Sequence, residues 1–158
     1  MRRFVFFLIG FCGLCGLARA EDIGAVDTAF QWIGPNHKIV VEVYDDPKVA
    51  GVSCYVSRAK TGGLKGAVGL AEDKAEASID CVQTGPLRFA ADKPLQKQEE
   101  MFNERLSILF KRLRVVRMVD VKRHALVYLT YSDRLIDGYP QNSVSAVAVP
   151  AGTLIPLK

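Results

Sequence analysis

Lys60, Thr61, Gly62, Gly63, Leu64, Lys65 and Gly66 form the stretch of this chain whose residue types and spacing best suit holding a ligand. Glycines let successive backbone N–H groups converge on an anion, and Lys60 and Lys65 would neutralise its charge. No Gly-Lys-Ser/Thr follows at the spacing of a nucleotide P-loop, and a plain surface loop accounts for the same residues. His37, which follows Gly34, Pro35 and Asn36, is the histidine that could join such a contact, although its position is also that of an ordinary loop residue.

Catalytic chemistry is harder to assemble. The chain has 2 histidines, His37 and His124, and neither has a second ligand-type residue at metal spacing. There is no H-E-x-x-H, no C-x-x-C and no G-x-S-x-G. No metal site and no cofactor are therefore expected. An enzyme would need an unrecognised site, for example His37 or Tyr131 working with a lysine across a sheet. Asp45 and Asp46 precede Pro47 and are expected as turn residues, since neighbours in a strand point to opposite faces.

The first twenty residues set the context for these groups. Arg2 and Arg3, the apolar run Phe4 to Leu17, and the small-residue end Ala18-Arg19-Ala20 have the form of a secretory signal peptide cleaved after Ala20. The apolar run is shorter than the about 20 residues a spanning helix needs, and no later run is long enough. The expectation is a periplasmic chain with one domain over residues 21–158 and no transmembrane segment. Arg2, Arg3 and Arg19 leave with the leader, so most of the formal charge of +4 goes with them and gives no reason to expect nucleic acid. Arg105, Lys111, Arg112, Arg114, Arg117, Lys122 and Arg123 still form a basic run. It would suit anionic lipid, lipopolysaccharide or another polyanion, but Arg112 and Arg114 alternating with Leu113 and Val115 is also what a half-exposed strand shows.

Cleavage leaves two cysteines, Cys54 and Cys81, and an even pair in an exported domain is most simply a disulfide. A redox-active pair or two free thiols are the alternatives. A disulfide would close a loop of about 27 residues and stabilise the fold by roughly 3.5 kcal/mol in the chain-entropy model.

The elements that must position these residues read as short strands between turns. Ile39 to Tyr44, Val52 to Ser57, Ser78 to Thr84, Val115 to Val119, Leu126 to Tyr131 and Val144 to Val149 are compact, β-branched or alternating. Val26 to Ile33 is spaced for a short helix or an irregular turn, and Leu70 to Ala77 has helix-forming composition. Gly85-Pro86 is expected to end the strand at Ser78 to Thr84, and residues 91–104 read as a polar connection with some helix. Leu106 to Phe110 fits a strand better than a helix. The fold class expected is mainly β with one or two short helices, as an antiparallel curved sheet, a sandwich or a partly open barrel.

Several blocks resemble the CreA family of small exported bacterial proteins. They are Ile33 to Glu42, Cys54 to Gly63, Gly69 to Asp73, and the hairpin from Val115 to Ser132. The resemblance covers nearly all of residues 21–158. It implies a periplasmic protein of Gram-negative bacteria with cysteines placed like Cys54 and Cys81, and supplies no activity, catalytic residue or ligand. The function expected is a non-catalytic binding or accessory module for an anionic ligand or envelope component. The alternatives are an enzyme with an unrecognised site, or a structural partner that presents an apolar patch or an open strand edge.

Overall fold

The computed structural model describes residues 20–63, 77–105, 112–136 and 139–158. In them the chain forms β1 (Glu21–Ala29), β2 (His37–Asp45), β3 (Val49–Lys60), β4 (Ala77–Phe89), β5 (Gln98–Arg105), β6 (Arg112–Asp120), β7 (Ala125–Ile136) and β8 (Tyr139–Ala148). Two four-stranded antiparallel sheets result, ordered β1-β2-β3-β4 and β5-β6-β7-β8. Each is a meander, because every strand pairs with its neighbour in sequence. The expected leader, Lys65, residues 70–76 and the stretch Leu106 to Phe110 lie outside the described residues.

Period-two alternation decides which side chains meet between the sheets. Val40 and Tyr44 of β2, Val52, Cys54 and Val56 of β3, and Ile79 and Cys81 of β4 are buried on one inner face. Leu113, Val115 and Val119 of β6, Leu126 and Tyr128 of β7, and Val147 of β8 are buried on the other. Apart from Val40, the two sets form one apolar cluster, as in a β-sandwich. Cys54 and Cys81 sit opposite each other in the β3–β4 ladder and form the disulfide within this cluster.

The sheets approach at β4 and β8 without closing into a barrel. Edge amides of β4 are met there by side chains: Ile79 N–H donates to Ser143 Oγ (3.4 Å) and Cys81 N–H to Ser145 Oγ (2.9 Å). These hydroxyls cover an edge that would otherwise offer itself for aggregation.

Three sequence expectations change. Val26 to Ile33 is not helical, because Glu21–Ala29 pairs with β2 along its length, with bulges at Asp22/Gly24 and Asp27/Ala29. The strand at Cys81 does not stop before Gly85-Pro86 but runs to Phe89. A bulge in β3 permits this: Gly51 adopts φ +82°, and a Cβ there would lie 2.7 Å from Pro86 O. Residues 98–105 form a strand where a partly helical connection was expected.

Candidate functional site

At the end of the first sheet where β1 turns into β2, three large apolar side chains stand in solvent. Phe30 is 70% exposed, Trp32 93% and Ile33 65%. The Phe30 and Trp32 rings meet edge to face, 5.7 Å between centroids. Three hydrogen bonds brace the loop that carries them. Gln31 N–H donates to Asn36 Oδ1 (2.9 Å), Asn36 Nδ2 donates to Asp27 Oδ2 (3.0 Å), and Gly63 N–H donates to Pro35 O (2.7 Å).

The expected ligand residues His37, Gly62 and Gly63 come together at this loop. Gly62 N–H donates to His37 Nδ1 (3.1 Å), so a neutral His37 ring carries its proton on Nε2. With Gly63 N–H on Pro35, both glycine amides are used inside the protein, and a ligand here would be met by side chains. Gly62 is required by close approach, because a Cβ there would overlap Pro35 O and the Asn36 carbonyl. Between the segments lies an open cleft of about 440 Å³, with Trp32 and Ile33 on one side and His37, Thr61 and Gly62 on the other. Lys60 pairs with Lys38 across the β2–β3 ladder just behind it. Tyr131 lies on β7 of the other sheet and shares no hydrogen bond with His37 or Lys60 among the described residues.

Two charge networks lie elsewhere, each joining the two sheets. In the first, Arg117 reaches from β6 to Asp46 at the end of β2: Nη1 lies 2.7 Å from both carboxylate oxygens, and Nη2 lies 2.6 Å from Glu99 Oε2. Tyr128 OH donates to Asp46 Oδ2 (2.8 Å), and Lys48 N–H and Val49 N–H donate to Asp46 Oδ1 (2.8 and 3.0 Å). The Arg117 and Asp46 side chains are 1% and 0% exposed, which makes this pair part of the core. Asp46 thus keeps its expected turn role and adds a buried ion pair to it. In the second network, Arg58 Nε and Nη2 bind Glu42 (3.0 and 2.9 Å) and Nη2 also reaches Glu104 of β5 (3.2 Å). Tyr44 OH donates to Glu104 Oε2 (2.9 Å).

Burial pushes the Tyr44 hydroxyl far above its ordinary ionisation range, and the charges of Glu104 and Glu42 add to it. Tyr128 is raised in the same way, by burial first and then by Asp46. Both tyrosines therefore act as hydrogen-bond donors. The carboxylates they meet are neutralised by arginine, so these networks work as clamps between sheets. No group of three or more His, Cys, Asp or Glu among the described residues is placed to hold a metal ion. No helix among them is long and apolar enough to cross a membrane.

Trp32 escapes the sequence reading, and Arg117, read there as part of a basic run that could face a polyanion, is instead buried and paired with Asp46 and Glu99. Trp32 is the chain's single tryptophan, in a segment ended by Gly34-Pro35, and that isolation was the available signal. Arg117 shares the parity of Leu113, Val115 and Val119, so an arginine in an apolar register was the signal there.

A family model described as CreA protein matches residues 23–152. The chain is similar to Protein CreA of Escherichia coli (strain K12), 55% identical over 135 residues, which cover 84% of this chain and 86% of the relative. Protein CreA of Escherichia coli O157:H7 shows the same identity and coverage. No solved structure matches. With identity this high over most of both chains, and a family model spanning the described strands, the chain belongs to the CreA protein family.

Proposed function

We propose that this CreA family member is a periplasmic, non-catalytic accessory module that engages an anionic or envelope component at the end of the first sheet. Phe30, Trp32 and Ile33 form its contact surface, and His37 and Lys60 stand beside it. The observation that carries this reading is a nearly fully exposed tryptophan on a loop braced by three hydrogen bonds. Keeping so large an apolar side chain in water contributes nothing to the core, and bracing removes the conformational entropy that binding would otherwise cost. The basic and apolar leader pattern supports export, and the buried Cys54–Cys81 disulfide suits an oxidising compartment.

Because Trp32 is the only tryptophan, its emission reports on this surface alone. A titration with inorganic phosphate, lipopolysaccharide, soluble peptidoglycan fragments and phospholipid vesicles should move the emission to shorter wavelength for at least one of them. Unchanged emission with all four would sink the reading. A second reading, a structural partner of another envelope protein, is favoured by Ile23 and Val26, which are exposed on β1 at the open edge of its sheet.

A further inference from the structure

We infer that the Phe30–Trp32–Ile33 loop docks this protein onto the surface of an anionic phospholipid membrane. This inference rests on the binding-module reading and names its target. Three of four consecutive loop residues are apolar and more than half exposed, a pattern that suits insertion into the boundary between headgroups and acyl chains.

Charge placement selects a membrane over a neutral target. Lys38 and Lys60 lie side by side in the β2–β3 ladder at the end that carries the loop, and neither forms a salt bridge among the described residues. Asp27, opposite Lys38 in the β1–β2 ladder, accepts a hydrogen bond from Asn36 Nδ2 and so belongs to the bracing of the loop. Glu21 and Asp22 are at the far end of β1, where Glu21 pairs with Val43, roughly 25 Å from the loop at about 3.3 Å per residue. The loop end of the first sheet therefore carries Lys38 and Lys60 against Asp27, beside the three apolar side chains. Two lysines without a carboxylate partner among the described residues draw this end to an anionic surface and set the aromatic loop toward the lipid. A glycan would use Trp32 as a stacking platform but would need neither lysine.

Sedimentation with phosphatidylglycerol vesicles, compared with phosphatidylcholine vesicles, tests this on the protein purified from a bacterial host. Trp32 emission and its quenching by lipids labelled near the headgroup are read in the same samples. Binding should favour phosphatidylglycerol, weaken with salt and blue-shift Trp32 into quencher range. Trp32→Ala should reduce partitioning at least tenfold without changing the far-ultraviolet circular dichroism, since the side chain is almost wholly outside the fold. Lys38→Gln with Lys60→Gln should reduce it roughly thirtyfold on anionic vesicles, and much less on neutral ones. No partitioning onto phosphatidylglycerol, or partitioning that these variants leave intact, overturns the inference. If Trp32 instead responds to peptidoglycan fragments and not to vesicles, membrane docking is overturned while the binding-module reading stands.

Discussion

Replacing Arg117 by methionine tests whether the ion pair between the sheets holds the fold together. The change keeps most of the side-chain length and removes the cation. It deletes both contacts to Asp46 and the one to Glu99, and leaves a fully enclosed carboxylate held only by Tyr128 OH and two backbone N–H groups. Breaking a buried pair on one side costs about 3–5 kcal/mol, most of a small domain's margin. For a chain of this size that lowers the melting temperature by roughly 10–15 °C. Arg117→Lys should fall in between, because a single ammonium cannot reproduce the forked contact to two carboxylates. Arg114→Met is the control. Arg114 binds Glu100 and Asp133 at 2.6 and 2.7 Å with side chains about a third exposed, where water screens the pairs, so its loss should cost far less than that of Arg117. Urea unfolding followed by far-ultraviolet circular dichroism is the assay. Tryptophan emission is unsuitable, because Trp32 is already in water in the folded state. The reasoning fails if Arg117→Met costs no more than Arg114→Met.

Other outcomes follow from the same geometry. Tyr44 and Tyr128 both ionise at higher pH in the folded chain than in the unfolded one, so the stability they contribute is complete below about pH 10 and is lost as the pH rises further. Alkaline titration should show tyrosinate absorbance from these two residues appearing together with loss of β-structure; ionisation with the fold intact would contradict this. Cys54→Ser with Cys81→Ser should cost about 3 kcal/mol, and a melting temperature equal to the parent's would refute a stabilising disulfide. Gly62→Ala should break the hydrogen bond to His37 and loosen the loop, seen as faster amide exchange over residues 31–37 with the exchange of β6 and β7 unchanged.

The sequence by itself determined the family, the β class and the antiparallel hairpins. β2, β3, β6 and β7 were legible because alternation with period two and β-branched composition are local properties, readable without knowing what lies opposite. The cysteine pair was legible because only two cysteines, Cys54 and Cys81, lie outside the first twenty residues. The tertiary structure decided what alternation cannot carry. β1 is a strand because β2 is beside it, and its own exposed side chains hold no strand signal. Arg117 is buried because Asp46, 71 residues away, is brought to it by the packing of one sheet on the other. Gly62 and Gly63 hold two loops together, although their composition alone reads equally well as an anion cradle. Trp32 faces water because the loop that carries it lies beyond the end of the sandwich, where no second sheet among the described residues covers it. Periodicity fixes which way a side chain points from its own strand, whereas burial and partnership depend on what the rest of the chain brings to that side.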